Sequence, residues 1–70
     1  MSDSVYKVIE LVGTSPNGFE EAIQNVVKKA NESLRDIRIV EVISLDAKVS
    51  EGNIVAYRAK VKLSFKFEQK

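Results

Sequence analysis

The chain lacks several residue types that small domains commonly use for stability. It has 70 residues, with no cysteine, no histidine and no tryptophan, and one proline. Without cysteine it forms no disulfide, and without cysteine or histidine a structural zinc site lacks its usual ligands. A domain of this size is marginally stable alone and usually needs a disulfide, a metal or self-association. The composition therefore predicts self-association.

The same absences bear on catalysis. Histidine is the side chain that changes charge near neutral pH, and cysteine is the strongest common nucleophile. Carboxylates, lysines and tyrosines could replace them only with strongly shifted pKa values. The composition therefore predicts that the protein is not an enzyme, and it favours a binding or structural role.

Charge and hydropathy exclude two further classes of protein. Eleven Lys and Arg balance ten Asp and Glu, which gives a net charge of +1 and no basic surface typical of nucleic-acid binding. No apolar run reaches the roughly 18 residues of a membrane span. The first ten residues do not resemble a signal peptide. We therefore expect a cytoplasmic protein that binds neither nucleic acid nor membranes.

Four elements in the order β-α-β-β are predicted for a single domain spanning residues 1–70. Apolar and β-branched residues predict a first strand over about residues 4–12. The segment GTSPNG then breaks the strand. The following helix begins either with Ser15 as N-cap and Pro16 in its first turn, or with Asn17 as N-cap and Glu20 as capping-box partner.

The helix carries one continuous apolar stripe, which predicts that it lies on a sheet. Its members are Phe19, Ala22, Ile23, Val26, Val27, Ala30 and Leu34.

Two strands, over about residues 36–49 and 54–68, are joined by a turn at residues 50–53 and form a hairpin. The odd-numbered residues of the last strand are apolar and should face the helix: Val55, Tyr57, Ala59, Val61, Leu63, Phe65 and Phe67. The fold class is therefore α+β, with one amphipathic helix on a three-stranded antiparallel sheet.

The second strand is apolar on both sides, which one helix cannot cover. Val40 and Val42 are predicted to face the helix. Four large aliphatic side chains then point outward: Ile37, Ile39, Ile43 and Leu45. Monomers rarely expose such a patch, so another copy of the chain is its simplest cover. The predicted interface between copies comprises Ile37, Ile39, Glu41, Ile43, Leu45, Arg58 and Lys60.

The chain resembles the dodecins over nearly its whole length. The resemblance is carried by VYKVIELVGTSPNGFEEAI at the start, by Glu41 and Val42, and by YRAKVKLSF near the end. It implies a hollow homododecamer with cubic symmetry, in which the helices lie outside and the sheets face inward. It also implies a protein that stores or sequesters flavins, such as riboflavin or FMN, at subunit interfaces.

The ligand positions implied by the resemblance differ here from the family pattern. The tryptophan that stacks on the flavin ring corresponds to Ile39, a glutamine that bonds the ring corresponds to Arg58, and an arginine corresponds to Asp46. Ile39 has no π face and Arg58 cannot accept a hydrogen bond. We therefore expect flavin binding to be weak or absent.

Calcium is the alternative ligand, because tryptophan-less relatives of the dodecins are linked to calcium. Calcium takes six to eight oxygen ligands. No EF-hand spacing is present, but symmetry could assemble a site from several subunits. The candidate metal ligands are Glu20, Glu21, Glu41 and Asp46. A purely structural shell is the remaining possibility.

Overall fold

The computed structural model describes residues 5–67, which form one helix on a three-stranded sheet. The elements are β1 (Tyr6–Ser15), α1 (Phe19–Asn31), β2 (Ile37–Ser50) and β3 (Asn53–Lys66). The strand order is β1-β3-β2, and both neighbouring pairs are antiparallel. The predicted α+β class and β-α-β-β order are confirmed. The predicted strand ends at residues 4 and 68 lie outside the described residues.

The helix begins later than either predicted cap. Its N-cap is Gly18, which has no side chain to bond the first turn. Ser15 is instead the last residue of β1; it is 2% exposed, and its hydroxyl accepts a hydrogen bond from the Asn17 backbone N–H at 2.9 Å. Asn17 donates from its side chain to Glu21 at 2.8 Å. Both predicted caps are wrong, and Ser15 does not cap the helix because β1 continues through it, three residues further than expected.

The core lies between α1 and the middle of the sheet. Its buried members are small or branched residues from the two elements: Ala22, Val26 and Ala30 on α1, and Ala59, Val61 and Leu63 on β3. This confirms the predicted helix stripe and the helix-facing side of the last strand. Leu34, the last residue of the predicted stripe, follows the helix and packs against the same core. Within residues 5–67, no helix is long and apolar enough to span a membrane.

The hairpin between β2 and β3 closes through a two-residue turn, Glu51–Gly52. Both residues have positive φ, 51° and 80° respectively. Such turns match the right-handed twist of the flanking strands. The turn predicted from Ser50 to Asn53 is confirmed. Ser50 and Asn53 pair with each other and close the hairpin.

The helix-facing side of β2 differs in part from the prediction. Val40 and Val42 lie opposite Leu63 and Val61, so they face the helix as expected. The structure thus confirms which side of the sheet the side chains at the centre of β2 face.

Two residues predicted to face outward lie on the helix side instead. Ile37 pairs with Phe65 and packs against the core, and Leu45 pairs with Ala59. The cause is a bulge after Ile37 and another after Val42, each of which inserts one extra residue and reverses the alternation. Although Leu45 lies on the helix side of the sheet, its side chain remains 49% exposed.

Candidate ligand site

The sheet surface opposite α1, here called the outer face, combines charged and apolar side chains. Residues on the same side of paired strands lie next to each other, and the buried odd residues of β3 place its even residues on this face. The central strand contributes Arg58, Lys60, Lys62, Ser64 and Lys66; β1 contributes Tyr6, Val8, Glu10, Val12 and Thr14; β2 contributes Ile39, Glu41, Ser44 and Asp46. A row of cations thus lies between two edge strands.

The outer face is more apolar than a solvent-facing sheet needs to be. Val8, Val12 and Ile39 are 51%, 53% and 58% exposed. Nine further large apolar residues of the described chain are exposed, on both sides of the sheet and at the chain's ends: Val5, Tyr6, Val42, Ile43, Leu45, Val49, Ile54, Val55 and Phe67. Patches of this kind mark surfaces that another molecule covers.

Val8 and Val12 were absent from the predicted interface. The signal that could have identified them was present, because β1 carries apolar residues at both even and odd positions. One helix covers one side of a strand, so the even set of β1 needed a cover as much as β2 did.

Asp46 and Arg58 form a two-point ion pair on the outer face. The Nε of Arg58 donates to Oδ1 of Asp46 at 2.7 Å, and its Nη2 donates to Oδ2 at 3.0 Å. The hydrogen bond from Arg58 lowers the pKa of the Asp46 carboxyl, with a further contribution from the positive charge, while desolvation opposes the shift. The same contact raises the pKa of Arg58.

Two of the three predicted ligand positions are therefore in direct contact, while the third lies apart. Ile39 is opposite Ser64, six residues along β3 from Arg58. At about 3.3 Å per residue this separates the two positions by roughly 20 Å. A small ligand that touches all three positions must therefore lie between two chains.

The remaining interface candidates lie on β2 and β3. Glu41, Arg58 and Lys60 lie on the outer face, and Ile43 is the extra residue of the bulge after Val42. All of these are exposed. They are accessible to a second chain.

The four candidate metal ligands occupy separate places in one chain. Glu20 and Glu21 lie in the first turn of α1, Glu41 lies opposite Lys62, and Asp46 is paired with Arg58. Among residues 5–67, no three carboxylates come together in a group that could hold a metal ion. The carboxylates of several chains would have to combine to form such a site.

A concavity of about 510 Å³ lies between the free edge of β1 and α1. Leu11, Val26 and Leu34 supply part of its apolar lining, and Lys29 also lines it. The side-chain amide of Asn25 on α1 donates a hydrogen bond to the carbonyl oxygen of Thr14 on β1 at 3.0 Å. This bond links the two elements that line the concavity. This groove was not predicted, because it depends on how far the helix lies from the strand edge.

The chain matches known proteins over almost all its length. The dodecin family model matches residues 5–68. The chain is 44% identical to calcium dodecin of Mycobacterium tuberculosis over 63 residues, covering 90% of this chain and 89% of that protein. It is 35% identical to dodecin of Thermus thermophilus over 65 residues, covering 93% and 94%.

Solved structures agree with these sequence matches. Dodecin from Streptomyces coelicolor superposes with a TM-score of 0.94 at 34% identity, covering all of both chains. The crystal structure of the M. tuberculosis calcium dodecin superposes with a TM-score of 0.83 at 44% identity, covering 96% of each chain. That protein is described as calcium-chelating, with a novel calcium-binding site.

Proposed function

Because this chain belongs to the dodecin family, we propose that it assembles as a hollow homododecamer and binds a small ligand between its subunits without catalysing a reaction. The observation that carries this proposal is the sheet with one covered side. Val8, Val12 and Ile39 are each more than half exposed on the side that α1 does not cover. Burying one such side chain contributes about 1.5–3 kcal/mol, so a second copy of the chain is a stabilising cover.

The proposed partners, location and domain extent also rest on the composition and the net charge of +1. The partner is another copy of the chain, and no nucleic acid or membrane is involved. The cytoplasm is the proposed location, and residues 1–70 act as one domain. The interface comprises the outer-face residues together with Ile43.

Flavin is the family ligand, and we propose that this chain binds it weakly. Stacking on an aromatic side chain contributes about 0.5–1.5 kcal/mol beyond the area that it buries. Ile39 supplies apolar contact but no stacking contribution. Two of the donors of Arg58 are already engaged by Asp46, which leaves fewer for a ring carbonyl. Riboflavin and FMN should therefore bind less tightly than in a dodecin with the tryptophan.

Calcium is the alternative ligand, and one observation favours it. The chain is 44% identical to a protein named calcium dodecin. The carboxylates of Glu20, Glu21, Glu41 and Asp46 would have to come from several subunits, because one chain does not gather them. Asp46 would also have to give up its bond to Arg58 to bind a cation with the same oxygens.

A tryptophan placed at position 39 tests the flavin part of this proposal. Ile39→Trp should strengthen riboflavin binding and quench riboflavin fluorescence, because it adds the missing π surface. Ile54→Trp is the matched control, since Ile54 is 54% exposed near the hairpin turn and lies outside the proposed site. Riboflavin titrations of both variants and of the unmodified protein provide the measurement. Equal quenching by the two variants would contradict the assigned position.

Calcium titration of the unmodified protein tests the alternative. Calorimetry before and after treatment with a chelator should show saturable binding if the cation is the ligand. Absence of both calcium and riboflavin binding would leave the structural shell as the function.

A further inference from the structure

The Asp46–Arg58 pair occupies the groups that would otherwise recognise an anion. A guanidinium binds phosphate through two parallel N–H donors, which is also how it binds a carboxylate. The Nε and Nη2 donors of Arg58 are both directed at Asp46, at 2.7 and 3.0 Å. A phosphate group approaching that edge finds both donors engaged and meets a like charge.

The pair lies in a concavity that a ligand can enter. Asp46, Ala47, Lys48 and Arg58 line a volume of about 440 Å³. The side chains of the pair are about half exposed, at 53% and 49%. Lys48 is two residues from Asp46 on the same strand, so it faces the same side. Asp46 is therefore the one carboxylate among the lining residues, beside two cations.

We propose that Asp46 determines ligand specificity by acting as the internal counter-ion of Arg58, which excludes phosphate-bearing ligands from this concavity in favour of uncharged ones. The inference rests on the proposed ligand site and names the ligand class that the site accepts. A carboxylate tethered beside its partner competes at an effective concentration of the order of millimolar. A free phosphate ligand that binds Arg58 with similar affinity therefore displaces it only at higher concentrations.

Removing the charge of Asp46 should convert the concavity into an anion site. Asp46→Asn keeps the size of the side chain, removes its charge and one of its two acceptor oxygens, and leaves Lys48 beside Arg58. We expect inorganic pyrophosphate to bind this variant at least about tenfold more tightly than it binds the unmodified protein, which corresponds to about 1.4 kcal/mol. The gain should shrink with added salt, because these charges are exposed.

Isothermal titration calorimetry with inorganic pyrophosphate, at low salt and on the assembled protein, is the test. Glu10→Gln is the matched control: it removes one carboxylate from the same face, opposite Lys62 and away from Arg58. It should bind pyrophosphate like the unmodified protein. The double variant Asp46→Asn/Arg58→Gln should lose the gain. Asp46→Ser serves as a second variant if Asp46→Asn does not assemble.

Two results would overturn the inference. In one, Asp46→Asn binds pyrophosphate no better than the unmodified protein, including the case in which neither binds. In the other, Glu10→Gln gains as much, so that the net charge of the face is responsible. The titration requires neither flavin nor calcium. Failure of the unmodified protein to bind riboflavin or calcium therefore counts against the proposed function and leaves this result interpretable.

Discussion

Gly13 allows α1 to approach β1, and replacing it with alanine should destabilise the fold strongly. A Cβ atom at this position would overlap the carbonyl oxygen of Ala22 and a methyl group of Val26. The first of these is helix backbone, which can move only if the helix moves. Because Ala22 is fully buried in the core, that movement would also open the packing against β3.

The expected loss follows from the cost of overfilling a packed core, about 1–3 kcal/mol, and should lie at the upper end of this range. For a domain of this size, each 1 kcal/mol corresponds to about 4–8 °C in melting temperature. Thermal unfolding followed by circular dichroism, at a fixed protomer concentration, measures the difference. The concentration must be fixed because self-association also stabilises the fold.

Gly18→Ala is the matched control for this substitution. An added Cβ at Gly18 meets no atom within 4 Å. The only expected cost is that alanine is less favourable than glycine at the N-cap of a helix. We expect a loss below about 1 kcal/mol. If the Gly13→Ala variant unfolds at the same temperature as the Gly18→Ala variant, the inference that Gly13 is needed for the close packing of α1 on β1 is wrong.

Two further predictions concern the outer face. Ile39→Asp should break the assembly into smaller species in size-exclusion chromatography, because it places a charge on a face that self-association buries; elution at the unmodified size would contradict this role of Ile39. The Asp46–Arg58 pair should stabilise the fold above the ordinary carboxyl pKa of 3.8, and this contribution should be lost as the pH falls through the lowered pKa of Asp46. The melting-temperature difference between the unmodified protein and Asp46→Asn should therefore disappear in acid; a difference that persists below the lowered pKa would refute the pairing.

The order of elements could be predicted because each has a strong local pattern. The apolar stripe of α1 has the helical period, and the odd residues of β3 alternate over their whole length. The turn at Glu51–Gly52 is marked by the glycine. These signals depend on neighbours in sequence, which a single chain displays.

The facing of β2 could be predicted only in part, because its bulges are set by pairing with β3. A bulge leaves no clear local pattern, so continuous alternation placed Ile37 and Leu45 on the wrong side. For the same reason, the pairing of Asp46 with Arg58 could not be predicted from the sequence. A two-residue turn without bulges would place Asp46 opposite Tyr57, and the bulge between Lys48 and Val49 shifts it to Arg58.

The helix start was mispredicted for a similar reason. Ser15 and Asn17 both suit a helix cap locally. Pairing of β1 with β3 extends the strand through Ser15, which lies opposite Tyr57, and this tertiary contact outweighs the local preference. Phe19 then packs edge-on against Tyr57, with ring centroids 5.1 Å apart, at the beginning of the helix.

Native mass spectrometry of the protein as purified, with nothing added, tests the proposed dodecamer, because it reports assembly and bound ligand together. We expect the mass of twelve chains. Additional mass of flavin size would favour the family ligand, and cation-sized additions that a chelator removes would favour calcium. A monomer would contradict the claim that the exposed outer face is covered by copies of the same chain, and a dimer would contradict the dodecameric assembly.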